Sequence, residues 1–421
     1  MSSLNQTPTG ERTRIAFFGM RNAGKSSLVN KFTNQTISIV SDVKGTTTDP
    51  VYKAMELLPL GPVQIIDTPG LDDEGELGAK RVMRAMDVLN VADMAIIVVD
   101  GVNLTKEIQD LRDVIIDRKL PYIIAFNKAD KYHETQDITE TKFEDIKDEI
   151  QDRLNKPDSL KEGFHINVSA KTGLNINLLR EVCAAIASDN KEEKAIVADL
   201  LNPGDTVVLV VPLDKAAPKG RLILPQQQVI RDLLDHNITA MVTTDNQLAA
   251  TMEKLVAPPE LVITDSQIFG FVNKTIDPSV PLTSFSILMA RYKGSLPLLV
   301  KGASAIKDVV DGDKLLISEG CTHHRQCEDI GTVKLPNWIK EFTGCTPEFY
   351  FTSGKEFPGE FTDYKAVIHC GGCMLGEKEM KNRIRKAASA GVPVTNYGIL
   401  IAYMNVILKR SVAIFPEINL D

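Results

Sequence analysis

The chain lacks the features that mark several specialised classes of protein. Six cysteines among 421 residues are too sparse for a disulfide scaffold, and five of them fall at or beyond Cys321. Reduced thiols and a cytoplasmic location are therefore expected. No stretch of about 18 apolar residues runs free of charge, so no membrane span is expected. The polar start, Met1–Arg14, lacks the apolar core of a secretory signal. Positive charge is also short. With 48 basic residues against 56 acidic ones the net charge is −8, which argues against nucleic acid as the main partner. Neither a solenoid repeat nor a low-complexity tract is present.

What remains is an ordinary globular composition, 43% hydrophobic and 25% charged, in a length sufficient for two or three domains with cores of their own. From Arg14 to about Ser188 apolar strands alternate with helices, the pattern of a mostly parallel sheet. Strands are expected at Ile15–Phe18, Val63–Asp67, Ala95–Asp100, Tyr122–Asn127 and His165–Ser169. Helices start near Lys25, Gly78, Glu107, Glu140 and Ile176. The charged stretch Asp189–Lys194 closes this first domain, 1–189. A second segment, 190–266, carries strands Val207–Val211, Ile238–Thr243 and Leu261–Thr264 around helices Gln226–Leu234 and Gln247–Val256. It is small for independent folding, so a second copy or a neighbouring domain is expected to supply the missing burial. The third segment, 267–421, is read with helices Ser284–Tyr292, Ala303–Val310, Trp338–Phe342, Glu377–Ala390 and Ile399–Leu408. Its strands are Lys314–Ser318, Phe349–Phe351 and Ala366–His369. The fold class is α/β throughout.

Four ordered motifs carry nucleotide chemistry. Gly19-Met20-Arg21-Asn22-Ala23-Gly24-Lys25-Ser26 fits G-x-x-x-x-G-K-[ST] between a strand and a helix, with Ser27 following. Its glycines let backbone N–H groups close around phosphates, Lys25 reaches the β- and γ-phosphates, and the Ser26 hydroxyl ligates Mg²⁺. Asp67-Thr68-Pro69-Gly70 ends a later strand, where Asp67 can hold the Mg²⁺ shell and Gly70 N–H can meet the γ-phosphate. Asn127-Lys128-Ala129-Asp130 provides a carboxylate, Asp130, that accepts from guanine N1 and N2 but repels adenine N1. Ser169-Ala170-Lys171 stands where GTPases place a loop over the base. A chance glycine turn beside an unrelated Asp and Asn is a poor account of four motifs in order. GTP and GDP are the expected ligands, with GTP hydrolysis as the activity.

Leu71 follows the Asp67 motif where Ras-type enzymes carry a water-orienting Gln. Asn22 and the stretch Gly45-Thr46-Thr47-Thr48-Asp49 resemble the tRNA-modification and ribosome-assembly GTPases, some of them K⁺-activated. There a P-loop Asn helps ligate K⁺, which stands in for an arginine finger. A plain turn role for Asn22 is equally open. Thr47 is the expected switch-I Mg²⁺ ligand, with Thr46 as the alternative, and Asp72–Glu76 reads as an acidic switch-II loop. Turnover is expected to be slow, on the order of 10⁻⁴ s⁻¹, and raised by K⁺ but not Na⁺.

The remaining chemistry is sulfur. Cys321-Thr322-His323 precedes, by a gap of 45 residues, His369-Cys370-Gly371-Gly372-Cys373. Three thiolates fall one short of the four that close an all-cysteine zinc or iron–sulfur site. That leaves one metal position for an exchangeable ligand: His323, His369, Glu328 or water. Either histidine can instead stand behind the thiolates, tuning them. A structural zinc site with three cysteines and one histidine remains an alternative. His324 and Cys327 lie near the motif without belonging to it, and Cys183 and Cys345 read as ordinary buried or loop cysteines.

Cys-x-His, the long gap and His-Cys-x-x-Cys behind a GTPase domain resemble the HydF family, the [FeFe]-hydrogenase maturation GTPases. The resemblance covers the whole chain. It implies a GTPase domain (1–189), a dimerisation domain (190–266) and a cluster-binding domain (267–421). It further implies a [4Fe–4S] cluster on Cys321, Cys370 and Cys373, and a scaffold role in which a diiron precursor is held and passed to apo-[FeFe]-hydrogenase. Two radical-SAM maturases are implied partners, and the chain is expected to form a homodimer or tetramer. The rival reading is a ribosome- or tRNA-associated GTPase with a structural zinc module.

Overall fold

The computed structural model describes residues 9–34, 50–71, 76–132, 140–155, 163–189, 194–212, 222–320, 329–354 and 356–419. The chain divides into two compact units, Met1–Glu192 and Glu193–Asp421. Among the described residues no helix is long and apolar enough to cross a membrane.

The first unit is built on six strands: β1 (Thr13–Gly19), β2 (Val51–Leu57), β3 (Gly61–Asp67), β4 (Met94–Asp100), β5 (Tyr122–Asn127) and β6 (Phe164–Asn167). Their order is β2-β3-β1-β4-β5-β6, with β2 antiparallel to β3 and every other pairing parallel. Helices cover both faces, so the central strands are apolar on both sides. Ile15 and Phe17 point into one core with Leu28, Phe32, Leu179 and Val182. Ala16 and Phe18 point into the opposite core with Val88, Leu111 and Ile115. Full burial of each large aliphatic contributes about 1.5–3 kcal/mol. Strand β2 was not expected, because Lys53 and Glu56 break its apolar pattern. It lies at the sheet edge, and Lys53 is nonetheless buried.

The second unit holds two four-stranded sheets. The first takes β7 (Thr206–Val210), β8 (Thr239–Thr243), β9 (Leu261–Thr264) and β10 (Leu282–Ser284), in the order β10-β9-β7-β8. The other takes β11 (Lys314–Glu319), β12 (Glu348–Ser353), β13 (Ala366–His369) and β14 (Val394–Asn396), in the order β12-β11-β13-β14. All pairings in both sheets are parallel. One core joins them: Val208 and Leu233 share a cluster with Leu288, Val367, Ile384 and Ile399. The burial that residues 190–266 lack is thus supplied by the neighbouring part of the same chain.

Strands β10 and β14, each three residues long, are too short for a periodicity to show. Each feeds directly into a helix. Ser284 Oγ accepts from Ile287 N at 3.3 Å and starts Phe285–Lys293, while Asn396 Oδ1 accepts from Ile399 N at 2.8 Å and starts Tyr397–Met404. The helix expected at Ala303–Val310 lies earlier, at Leu296–Ala303, with Pro297 in its first turn where a missing N–H costs no hydrogen bond. Residues 304–308 form only a 3₁₀ turn.

The topology fixes where ligands can go. Strand β11 has β12 on one side and β13 on the other, so the chain reverses its direction of growth between β11 and β13. In open parallel sheets the crevice beyond the carboxyl ends at such a point is the usual ligand site. Cys321 follows β11 by two residues and Cys370 follows β13 by one.

Candidate nucleotide and metal sites

The phosphate loop leaves the carboxyl end of β1. Gly19 has φ 152°, and a Cβ there would stand 2.3 Å from Val98 O. Gly24 has φ 88°, and a Cβ there would meet Asn127 Nδ2 at 2.3 Å. Both positions therefore require glycine. Asn127 ties the loops together, since its Nδ2 donates to Ala23 O at 2.9 Å and its Oδ1 accepts from Ala170 N at 3.0 Å. Ser169 Oγ donates to Asp130 Oδ1 at 2.6 Å, fixing the carboxylate meant for guanine. The buried Lys25 donates from Nζ to Gly19 O and Met20 O, each at 3.0 Å. Ser26, Ser27 and Lys171 are exposed around this loop, and Gly70 follows β3.

Asp67 ends β3 and faces the phosphate loop. Burial pushes its pKa up, against a hydrogen bond with Ser26 and the charges of Lys25 and Lys53. Its Oδ1 is buried with no hydrogen-bond partner among the described residues. A carboxylate oxygen left over beside a serine hydroxyl is a hard-oxygen donor set, and Mg²⁺ suits it. Lys53 donates to Asn30 Oδ1 at 2.7 Å, so β2 is tied to the phosphate-loop helix.

Asn22 is exposed with φ 62°, and its backbone oxygen accepts from Lys128 Nζ at 2.9 Å. This is a left-handed turn position of the kind asparagine tolerates. Lys128 also pairs with Asp100, whose Oδ1 accepts from Tyr132 OH at 3.0 Å. Burial opposes ionisation of Asp100, but the Lys128 and Tyr132 hydrogen bonds hold its pKa below the usual value. Asp100 and Tyr132 escaped the sequence reading because neither belongs to a named motif. Thr46 and Thr47, the Gly45–Asp49 stretch and residues 72–75 lie outside the described residues.

The cysteine loop leaves the carboxyl end of β13. Cys370 Sγ accepts from Gly320 N at 3.0 Å and from Gly372 N at 3.4 Å. Gly320, the residue before Cys321 in sequence, thus lies against Cys370 although 50 positions separate the two. Burial raises the Cys370 thiol to about 11, and Cys373 and Glu319 push in the same direction. The Cys373 thiol is also raised by burial, with Lys293 acting against the shift. Two thiols in one glycine turn (Gly372 at φ 63°), with backbone N–H groups aimed at sulfur, form a donor set that suits iron–sulfur or zinc ligation. Cys321, His323, His324, Cys327 and Glu328 lie outside the described residues, and among the described residues no three potential ligands gather round one point.

His369 is 1% exposed and has both ring nitrogens engaged. Arg383 can only donate, so its contact at 3.4 Å makes Nε2 the acceptor. Nδ1 then carries the proton and donates to Cys370 O at 2.9 Å. Burial first, and the Arg383 charge second, push its pKa down to about 4, so the ring is neutral. Both ring nitrogens thus have partners within the protein, and Nδ1 holds the Cys370 peptide. Arg383, itself 4% exposed, also donates to Gly354 O at 2.6 Å and Glu379 at 3.0 Å. Glu319, the last residue of β11, is a buried carboxylate beside Cys370. Cys183 is fully buried, and burial raises its thiol far above reactivity, whereas Cys345 is half-buried away from the cysteine loop.

Comparison with known proteins fits this division. A 50S ribosome-binding GTPase model matches residues 14–128. GTPase Der of Mycoplasmopsis pulmonis is 39% identical over 125 residues, 28% of this chain and 28% of its own. The tRNA modification GTPase MnmE of Nitrosomonas eutropha is 28% identical over 174 residues, 41% of this chain and 34% of its own. The chain thus spans about a third of the length of these curated relatives. The solved structure of Aquifex aeolicus Era bound to GDP·AlF₄⁻ is 20% identical and covers 55% of this chain and 92% of that one, with a TM-score of 0.34. The family model over residues 14–128 makes the first unit a GTPase domain. Beyond it, the hydrogen maturase F dimerization domain matches residues 196–294 and the hydrogen maturase F tetramerization domain matches 297–414. With these two domains in tandem behind the GTPase domain, the chain belongs to the hydrogen maturase F (HydF) family.

Proposed function

We propose that the chain is a GTP-hydrolysing scaffold that holds a [4Fe–4S] cluster and a diiron precursor and delivers the latter to apo-[FeFe]-hydrogenase. The observation that supports this reading is the 3.0 Å contact between Gly320 N and Cys370 Sγ, which sets the residue before Cys321 against the Cys370 loop at the switch point of one sheet. Cys321, Cys370 and Cys373 are the thiolate ligands in this proposal, and the fourth corner falls to an exchangeable oxygen or nitrogen donor. Glu319, buried beside Cys370, is a candidate there alongside His323, His369, Glu328 and water. Such a cluster, when bound, supplies an iron corner at which a diiron unit can be held and surrendered.

In the GTPase domain, Gly19–Ser27 wraps the phosphates, Lys25 neutralises the β- and γ-oxygens, and Ser26 with Asp67 and Thr47 holds Mg²⁺. Gly70 N–H meets the γ-phosphate, and Asn127, Lys128, Asp130 and Ser169–Lys171 frame the guanine. Leu71 offers no side chain to orient water, so Asn22-bound K⁺ is the proposed source of charge stabilisation. The two family domains make the protein a homo-oligomer; radical-SAM maturases and immature hydrogenase are proposed partners.

Anaerobic reconstitution with iron and sulfide, followed by EPR, tests the cluster. A reduced-cluster signal together with transfer of hydrogenase activity to an enzyme lacking its diiron subsite supports the proposal. Zinc without iron would move the chain to a GTPase with a structural zinc module.

A further inference from the structure

Asp100 ends β4 and belongs to no nucleotide motif, yet both of its carboxylate oxygens are engaged by the guanine segment. One oxygen pairs with Lys128 Nζ, and the other accepts from Tyr132 OH at 3.0 Å. Lys128 is the second residue of Asn127-Lys128-Ala129-Asp130, and Tyr132 ends the short helix Ala129–Tyr132. One carboxylate on a neighbouring strand thus grips that segment at two points. Gly101 makes the approach possible. It has φ 79°, and a Cβ there would stand 3.1 Å from Tyr132 Cζ, so the ring lies against bare backbone. Gly101 N also donates to Asn127 O at 3.3 Å.

The grip bears on a lysine in an unfavourable conformation. Lys128 has φ 62°, left-handed backbone that persists where surrounding contacts over-determine it. Its Nζ donates to Asn22 O at 2.9 Å, and Asn22 is itself left-handed at φ 62°. One ammonium therefore joins two left-handed turns, one in the guanine segment and one in the phosphate loop. A lysine alone is a point charge on a flexible stem, whereas one paired with a carboxylate has a fixed direction. The other polar side chains of the segment have their own fixings: Asn127 bridges Ala23 and Ala170, and Ser169 holds Asp130. Asp100 does the same for Lys128.

We propose that Asp100 and Tyr132 are positioning residues for the bound guanine nucleotide: Asp100 aims the Lys128 ammonium at Asn22 O, Tyr132 steadies Asp100, and together they slow the release of GTP and GDP alike. The inference rests on the reading of Asn127–Asp130 as the guanine segment. Neither residue belongs to the set assigned to Mg²⁺ or the γ-phosphate. Their contribution is therefore uniform binding, which changes how long a nucleotide stays and leaves the chemical step alone.

The test uses the full-length chain as wild type, Asp100→Asn, Tyr132→Phe and the double variant. Release of fluorescent GDP and of a fluorescent, non-hydrolysable GTP analogue is followed by stopped flow, and hydrolysis of bound GTP by single turnover. Asp100→Asn keeps an acceptor for Tyr132 OH and loses the charge facing Lys128. The expected result is release of both nucleotides about 5- to 10-fold faster, between the worth of an exposed ion pair and that of a charge-assisted hydrogen bond. The single-turnover rate should stay at the wild-type value. Tyr132→Phe should speed release less, and add nothing in the Asp100→Asn background. Wild-type release from Asp100→Asn, slower single-turnover hydrolysis, a change confined to one nucleotide, or a Tyr132→Phe effect undiminished in Asp100→Asn would each overturn the positioning role. Should Asp100→Asn fail to fold by circular dichroism, Tyr132→Phe decides alone, because it removes only the hydroxyl of a 53% exposed residue. Faster release from it then supports the role, and unchanged release overturns it. A wild-type chain that binds neither nucleotide overturns the guanine-site reading and this inference with it, whereas variants that match a binding wild type overturn the inference alone.

Discussion

Both the phosphate loop and the cysteine loop leave the carboxyl ends of parallel strands, but they are held by different means. The phosphate loop is fixed by backbone geometry and by short polar side chains on neighbouring loops: glycines at positive φ, Asn127 bridging Ala23 and Ala170, and Ser169 on Asp130. Its charged pair, Lys128 with Asp100, is 27% and 38% exposed. The cysteine loop is held by cations almost fully out of water, Lys293 at 3% and Arg383 at 4% exposure, contributed by two helices packed on the sheet. Water can substitute for a lost partner in the first loop but not in the second. The two sites should therefore respond independently to mutation, and the cysteine side should be the more brittle.

The sharpest break in the comparison is loss of a thiolate. Cys370→Ser should abolish iron–sulfur absorbance while GTP hydrolysis per chain stays at the wild-type rate. Loss of nucleotide turnover in that variant would contradict the separation of the two sites. On the nucleotide side, Asp130→Asn should weaken GTP binding by about 10²- to 10⁴-fold, since a carboxylate accepting two guanine N–H groups is worth roughly 1.5–3 kcal/mol per charged hydrogen bond. The amide should also gain affinity for xanthine nucleotides, whose O2 accepts where guanine donates. Titration with fluorescent nucleotides reads both effects, and iron content should not change.

The difference in how the loops are held also explains what could be read in advance. The nucleotide motifs are contiguous, because each occupies one strand end and the turn beyond it, and the residues that hold them are mostly motif residues. Asn127 and Ser169 were legible for that reason. The cysteine ligand pattern was legible too, but its supports were not. Lys293 lies 80 positions from Cys373 and ends a helix that reads as ordinary core. Arg383 reads as one more cation on a charged helix, and only the fold turns it inward to His369. Strand β2 was hidden by Lys53, whose charge masks a buried position, and β10 and β14 by their length. His369 was legible as important but not in its role, because the partners of both its nitrogens come from tertiary contacts.

Two stability measurements sharpen the contrast between buried and exposed charge. Arg383→Leu removes one hydrogen-bond donor each from Glu379, Gly354 O and His369 Nε2, in a site where Glu379 is only 15% exposed. Breaking a buried ion pair by removing one partner costs about 3 kcal/mol or more. The single tryptophan, Trp338, lies in the second unit, so its fluorescence during urea denaturation reports that unit. The expected change is an earlier midpoint with GTP hydrolysis unaffected. A midpoint within error of wild type would show that water reaches the site.

The smallest effect belongs to an ion pair in the same unit that remains partly solvated. Arg291 donates to both oxygens of Asp199, at 2.9 and 2.6 Å, and to Glu417 at 2.9 Å, while Asp199 and Glu417 remain 42% and 35% exposed. Arg291→Met should cost no more than about 1 kcal/mol, because solvent screens such pairs. The Arg291 hydrogen bonds hold the Asp199 pKa below its ordinary value. A carboxylate lowered in the folded state contributes stability above its unfolded pKa and loses it as the pH falls through the folded one. The gap between wild type and Arg291→Met should therefore be full at neutral pH and shrink on acidification. Trp338 fluorescence again serves as the measurement. If Arg291→Met proved as damaging as Arg383→Leu, exposure would not be what separates the two kinds of charge, and the expected fragility of the cysteine loop would need another cause.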